Sequence, residues 1–180
     1  MVLRKTIMVM VVGALIVALS AGVALAFSQI DCASSSQDPS TPECYGTPQR
    51  DGILGTNAKD IIYAKEGDDY VKAYSGNDEI RGGAHTDHIQ GGADDDKLYG
   101  GDDDDFLFDS ISFEGLDSDE LNGGEGNDVL DAYDRNATDT LVCGPGENDT
   151  AYFDRGIFPG TPKDTVDPSC ENKVANAHPS

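Results

Sequence analysis

Several classes of function are disfavoured by what this sequence lacks. It has no tryptophan, and only 12 lysines and arginines stand against 34 aspartates and glutamates. Such a polyanion repels nucleic acid. Neither an H-E-x-x-H nor a G-x-S-x-G motif occurs, which argues against a metalloprotease or a serine hydrolase. There is no C-x-x-C pair and the three histidines are scattered, which argues against a zinc site.

The acidic residues are concentrated in the middle of the chain. Of the 34 acids, 28 lie in the segment 51–154, whereas the segments 27–50 and 155–180 hold three each. Adaptation to salt would acidify the whole surface, so the uneven distribution disfavours it. A merely solvated charged face is the other simple interpretation, but it predicts no regular spacing.

The spacing of the acids is regular. From Asp60 an aspartate recurs every nine residues, and an aliphatic residue follows each one two positions later. The pairs are Asp60/Ile62, Asp69/Val71, Asp78/Ile80, Asp87/Ile89, Asp96/Leu98 and Asp105/Leu107.

Each nine-residue unit opens on small residues, such as Gly82 and Gly83, and ends in a very short strand. We number the unit so that Gly82 is position 1, the aspartate position 6 and the aliphatic residue position 8. One unit cannot bury its aliphatic residue alone. Stacked units bury it, because position 8 of each strand then points into a continuous apolar column while its neighbours point outward. The sequence therefore predicts an all-β solenoid.

Six units run without a gap from Gly55 to Phe108, and the segment 109–118 then inserts five residues beyond one repeat. Asp119 and Leu121 restore the spacing, GGEGNDVLD at 123–131 is the most regular unit, and Asp139 with Leu141 forms a degraded further one.

The units resemble the G-G-x-G-x-D-aliphatic nonapeptides of repeats-in-toxin (RTX) proteins, the haemolysin-type calcium-binding repeats, over roughly residues 52–142. The resemblance implies a right-handed parallel β-roll whose successive turns alternate between two sides, with several calcium ions held between turns. It also implies that the position 6 aspartates supply carboxylate ligands. Those residues are Asp60, Asp69, Asp78, Asp87, Asp96, Asp105, Asp119 and Asp128.

Strand spacing is consistent with calcium in particular. Neighbouring strands lie about 4.7–4.9 Å apart, so a cation midway between two coils is about 2.4 Å from each. That is a calcium–oxygen distance, whereas magnesium requires about 2.0–2.1 Å. Without a cation the stacked carboxylates repel one another.

Position 4 departs from the RTX pattern in several units. It is glycine at Gly67, Gly76 and Gly126, but Ala58, His85, Asp94 or Asp103 elsewhere. Aspartate tolerates a positive φ angle moderately well, so we expect the turns at Asp94 and Asp103 to keep their shape. We do not extend this expectation to the turns at Ala58 and His85.

The first 26 residues are predicted to be a signal peptide. Arg4 and Lys5 precede an apolar run from Ile7 to Leu19, and small residues end at Ala26. The alternative is an uncleaved membrane anchor, since the apolar stretch is just long enough to span a bilayer of roughly 30 Å. Cleavage after Ala26 predicts a secreted protein with no further membrane contact.

The predicted organisation is a signal peptide (1–26), an N-terminal linker or cap (27–50), a nonapeptide-repeat β-roll (51–142) and an irregular C-terminal cap or tail (143–180). An exported chain with four cysteines is expected to be disulfide-bonded. Two of the three possible connectivities would tie the ends of an elongated solenoid together. We therefore predict the local pairs Cys32–Cys44 and Cys143–Cys170.

The sequence thus predicts a secreted calcium-binding protein that folds or becomes rigid in extracellular calcium, with no catalytic domain. The alternative is an adhesive or cell-surface protein whose β-roll is a calcium-stabilised scaffold. The outward strand positions form no ordered Thr or Asn array of the kind that binds ice. The aromatic residues Tyr99, Phe106 and Phe108 form either a protein contact patch or the surface covered by the 109–118 insertion.

Overall fold

The computed structural model describes residues 28–32, 43–109, 117–133, 138–154 and 164–176. The predicted signal peptide (1–26) and most of the 109–118 insertion lie outside the described residues. Within the described ranges, no helix is long and apolar enough to cross a membrane.

The described chain forms a series of short β-strands, most of them three to six residues long. Their bounds are β1 Ser28–Asp31, β2 Glu43–Tyr45, β3 Asp51–Leu54, β4 Ile61–Glu66, β5 Tyr70–Ser75, β6 Glu79–Ala84, β7 His88–Ala93, β8 Lys97–Asp102, β9 Phe106–Phe108, β10 Glu120–Glu125, β11 Val129–Asp131, β12 Thr140–Val142, β13 Thr150–Asp154, β14 Thr165–Val166 and β15 Asn172–Asn176.

The strands form two parallel sheets that the chain visits alternately. Odd-numbered strands make an 8-stranded sheet, which we call sheet A, in the order β1-β3-β5-β7-β9-β11-β13-β15. Even-numbered strands make the 7-stranded sheet B, in the order β14-β12-β10-β8-β6-β4-β2. Each strand therefore pairs with the strand two units away, as Ile62 with Ile80 and Val71 with Ile89. The predicted all-β parallel solenoid is confirmed.

The position 8 residues form the core between the two sheets. Each is at most 1% exposed, whereas their strand neighbours, apart from Gly52, are intermediate or exposed. The predicted apolar column is therefore confirmed, and it includes residues beyond the regular repeats. Its members are Ile53, Ile62, Val71, Ile80, Ile89, Leu98, Leu107, Leu121, Leu130, Leu141 and Ala151.

The insertion does not change the pairing register of the strands on either side of it. Lys97 pairs with Glu120 and Phe106 with Val129, an offset of 23 residues, whereas Glu79 pairs with Lys97 at an offset of 18. Five extra residues, as counted from the sequence, thus leave the strands on both sides of them in place.

Both ends contain strands where the sequence indicated a linker and an irregular tail. Strands β1 and β2 lie within 27–50, and β13 to β15 lie within 143–180. In β2 and β13 the periodicity gave no signal because cysteine and alanine replace the large aliphatic residue: Cys44 pairs with Ile62, and Ala151 with Leu130. In β1 and β14, Ile30 and Val166 pair with the column but lie outside the nine-residue spacing. The predicted disulfides Cys32–Cys44 and Cys143–Cys170 are confirmed, and their cysteines are buried in the same core.

Candidate metal centres

The predicted ligands are among the most buried residues in the protein. All eight of these aspartates are at most 2% exposed, because position 6 precedes each strand and its side chain turns into the bend between the two sheets. Sequence analysis missed further buried acids in the same rows. The nine-residue spacing could have found Asp51, which lies nine residues before Asp60, but the tail has lost that spacing. The missed residues in these rows are Asp51, Asp139, Asp149 and Asp164.

The aspartates form two rows, one along each sheet. The backbone N–H of each aspartate donates a hydrogen bond to a carboxylate oxygen of the next aspartate in its row. The N–H of Asp69 donates to Oδ1 of Asp87 (2.9 Å), and that of Asp78 donates to Oδ1 of Asp96 (2.8 Å). The row on sheet A is Asp51, Asp69, Asp87, Asp105, Asp128 and Asp149. The row on sheet B is Asp60, Asp78, Asp96, Asp119, Asp139 and Asp164.

The second carboxylate oxygen in most of these turns has no hydrogen-bond partner, although it is buried. Burying an ionised carboxylate without a partner is strongly unfavourable, so such oxygens require a proton or a cation. Oxygen ligands of this kind are those that calcium prefers. The residues present therefore fit a cation between successive turns. The unpartnered oxygens are Oδ2 of Asp69, Asp78, Asp87, Asp96, Asp105, Asp128 and Asp149.

Glycine at position 1 makes space for that second oxygen. A Cβ atom on Gly91 would lie 2.5 Å from Oδ2 of Asp96, and one on Gly82 would collide with Oδ2 of Asp87. In these turns a side chain cannot occupy the same volume, so glycine lets the carboxylate lie against the backbone of its own turn, whereas two earlier units carry Ala64 and Ala73 at position 1.

Position 4 adopts a positive φ angle even where it is not glycine. His85 has φ 77°, Asp94 77° and Asp103 74°. The expectation for the two aspartates is confirmed, and His85 also keeps the turn shape. Ala58 is absent from the described residues with positive φ, so its turn has a different conformation.

Threonine accounts for that different turn. The backbone N–H of Thr56 donates to Oδ2 of Asp60 (2.6 Å) and its Oγ1 lies 3.1 Å from the same oxygen. Thr47 binds Asp51 similarly, with its N–H 2.6 Å from Oδ2 and its Oγ1 3.1 Å from Oδ1. Protein donors thus satisfy Oδ2 of Asp60, whereas Oδ2 of Asp69 and of Asp78 has no partner. The other oxygen of Asp60, Oδ1, is buried without a partner. The sequence signal was the Gly-Thr pair that opens both turns.

Burial raises the pKa of the carboxyl groups in the regular turns. The pKa is about 8 for Asp87 and Asp96, about 7 for Asp69, Asp78 and Asp105, and about 6 for Asp128. Loss of water is the largest cause, neighbouring aspartates add to it, and the backbone N–H bond to Oδ1 opposes it. Cation binding at these turns must therefore displace protons near neutral pH.

A family model for the RTX calcium-binding nonapeptide repeat (4 copies) matches residues 54–85, 81–108 and 115–134. This family binds calcium and is typically non-catalytic, and several ions fit the repeats. No curated protein and no solved structure matches the chain significantly.

Proposed function

The protein carries RTX calcium-binding nonapeptide repeats between residues 54 and 134, and on this basis we propose that it is a secreted calcium-binding protein whose solenoid folds or becomes rigid on binding extracellular calcium. It has no catalytic role in this proposal. Its ligands are the position 6 aspartates named from the sequence, with Asp60 the weakest of them because Thr56 already binds one of its oxygens.

The column of buried, unpartnered carboxylate oxygens is the observation that supports this proposal most strongly. Successive aspartates in a row are held one strand spacing apart, so their charges repel one another in a poorly solvated place. A bound divalent cation supplies the positive charge and the oxygen coordination that these turns lack. Folding and calcium binding are then a single equilibrium, because the ligands are assembled only when the turns stack.

Secretion is supported by the two disulfides in the core, since structural disulfides persist in oxidising compartments. Extracellular calcium modules bind with dissociation constants of about 10⁻⁴–10⁻³ M, close to the calcium concentration outside cells. The protein would therefore be largely unfolded before export and folded after it.

The absence of catalysis is supported by the uniformity of the polar groups. Each described turn of the repeats presents the same buried aspartate, and the typical family member is non-catalytic. An active site instead brings different groups together in one cleft.

Circular dichroism and calorimetric titration of the chain from Phe27 test the proposal. We expect little strand signal in chelator, strand signal on addition of calcium, and poor substitution by magnesium at equal concentration. A spectrum unchanged by chelator would exclude calcium-dependent folding, and a flat titration would exclude calcium binding itself.

A calcium-stabilised adhesive scaffold is the second candidate, and one surface favours it. On the outer face of sheet B, Tyr45 stacks on Tyr63 with ring centroids 5.1 Å apart, and Arg81 lies 4.9 Å from the ring centroid of Tyr99. Aromatic and guanidinium groups bind flat ligands by stacking. Retention of the calcium-loaded protein on immobilised polysaccharide, lost on replacing Tyr63 and Tyr99 with serine, would support adhesion. Equal retention of both proteins would argue against this surface.

A further inference from the structure

The turn that contains the insertion differs from the regular turns at position 1. Asp109 occupies that position directly after β9, where Gly82, Gly91 and Gly100 stand in the preceding turns. Asp119 follows Asp109 by ten positions, whereas Asp105 follows Gly100 by five. A Cβ atom on Gly100 would collide with the carboxylate of Asp105, so that turn has no room for the side chain that Asp109 carries.

Asp109 adds a third carboxylate to two neighbouring members of the sheet B row. One carboxylate oxygen from each of Asp96, Asp109 and Asp119 lies within 4.8 Å of the other two. Asp109 is fixed there by its backbone, because its N–H donates to the carbonyl oxygen of Asp131 at 3.0 Å. Asp96 and Asp119 are linked by the bond from the Asp96 N–H to Oδ1 of Asp119, at 2.7 Å.

Two buried acids with unpartnered carboxylate oxygens support a cation at this cluster. Asp96 is 1% exposed, and its Oδ2 has no hydrogen-bond partner. Asp117, two residues before Asp119 in the same turn, is 5% exposed, and neither of its oxygens has a hydrogen-bond partner. Asp96 thus places an unpartnered buried oxygen in the cluster itself, and Asp117 adds two more in the turn of Asp119.

We propose that Asp109 is a calcium ligand outside the nonapeptide motif, and that it forms with Asp96 and Asp119 a three-carboxylate site at the insertion. This proposal rests on the proposed calcium-binding function, and we assign the most tightly bound calcium ion to this site. Ligand charge tunes calcium affinity, and here three carboxylates replace the two that adjacent aspartates of a row supply in a regular turn.

The three carboxylate oxygens lie close enough together to share one cation. Two ligands on opposite sides of a calcium ion are separated by twice the metal–oxygen distance, about 4.6–5.2 Å. Oxygens that lie within 4.8 Å of one another are compatible with that separation. The site has only oxygen ligands, which disfavours zinc and copper.

Calorimetric titration of the chain from Phe27 with calcium chloride tests this site through the variant Asp109→Asn. We expect the tightest binding step to weaken at least about tenfold, since loss even of a group that only supports a ligand costs about 10–100-fold in metal affinity. The control is Asp68→Asn, which removes the same charge from an exposed position 5. It should retain the tightest step.

The second variant, Asp109→Glu, retains the carboxylate and separates ligation from folding. It should bind its tightest ion more strongly than Asp109→Asn, and both should reach the wild-type strand signal at saturating calcium. An unchanged tightest step in Asp109→Asn, or an equal loss in Asp68→Asn, would overturn the site while leaving the repeat sites intact. Failure of the wild-type chain to bind any calcium would instead overturn the proposed function, and this site with it.

Discussion

The backbone N–H of Asp87 donates a 2.8 Å hydrogen bond to Oδ1 of Asp105, the next aspartate in its row. Asp105 therefore uses one oxygen to hold the neighbouring turn, and its Oδ2 stays buried without a partner. The same division recurs at Asp69, Asp78, Asp87, Asp96, Asp128 and Asp149. At these positions one carboxylate oxygen fixes the stacking of the turns, and the other is available to a cation.

The position of an aspartate within its row should decide how much it contributes to calcium binding and to the stability of the calcium-loaded protein. Asp87 lies between Asp69 and Asp105, so its carboxylate can reach an ion on either side, whereas one oxygen of Asp60 is bound by Thr56. We expect Asp87→Asn to lower both calcium stoichiometry and the melting temperature in calcium more than Asp60→Asn does. Calorimetric titration and thermal melting measure this difference.

The two substitutions are a fair comparison because each keeps the size of the side chain and removes one negative charge. Asparagine also retains the Oδ1 acceptor that the neighbouring N–H requires. Equal damage from Asp60→Asn would argue against ions shared between successive turns of a row and would favour one ion for each repeat.

The core prediction concerns the position 8 column. Replacing the fully buried Ile89 with aspartate should abolish calcium-induced folding, because it places an unpaired charge between the sheets. Glu79→Gln should have little effect, since Glu79 lies on the outer face and its ion pair with Arg81 is solvent-accessible. Far-UV circular dichroism during a calcium titration distinguishes the variants. Normal folding of Ile89→Asp would show that the column is not the core.

The periodic parts of this fold could be predicted from sequence, and the aperiodic parts could not. Position 8 recurs every nine residues, so the burial of Ile89 followed from stacking alone, and the same spacing predicted that Asp87 stacks with the other aspartates of its row. Strands β2 and β13 could not be found in this way, because Cys44 and Ala151 occupy the core in place of large aliphatic residues. The buried Cys32–Cys44 disulfide fills the core beside β2.

The nine-residue pattern also could not predict the side-chain hydrogen bonds. Nothing in the spacing distinguishes Asp60 from Asp78, yet Thr56 binds only the former, while Oδ2 of Asp78 has no partner. Likewise, nothing in the spacing indicated that Asp117, two residues before Asp119, is buried.

Thr56 provides a prediction for the N-terminal turn. Thr56→Val should destabilise the calcium-loaded protein by about 1 kcal/mol, because it removes the hydroxyl contact with Asp60 and leaves the backbone N–H bond in place. Denaturant unfolding at saturating calcium measures this loss. Thr86→Val is the matched control, since no hydrogen bond of the Thr86 hydroxyl occurs among the described residues. A loss of the same size in both variants would mean that the hydroxyl of Thr56 contributes nothing specific.

The last prediction concerns pH in the absence of calcium. The pKa values of Asp87 and Asp96 are about 8 in the metal-free fold, far above the value of about 4 expected in an unfolded chain. The folded chain therefore binds more protons than the unfolded chain between those values, so its stability falls as pH rises. In chelator we expect more strand signal at about pH 5 than at about pH 8, because protons then neutralise the rows that calcium would otherwise neutralise.

Calcium should reverse this dependence on pH. Protons and calcium compete for the same carboxylate oxygens, so the apparent calcium affinity should strengthen as pH rises from about 5 to about 8. Binding should release protons near the lower end of this range, where the metal-free chain is folded and protonated, and few near about pH 8, where that chain is unfolded and its carboxylates are ionised. Titrations in two buffers of different ionisation enthalpy count those protons. Asp87→Asn should release fewer of them than the wild type. Asp102→Asn, which removes an exposed carboxylate, should release the same number. Binding without proton release would mean that the buried carboxyl groups are already ionised in the metal-free chain, as they would be if that chain were unfolded throughout this pH range.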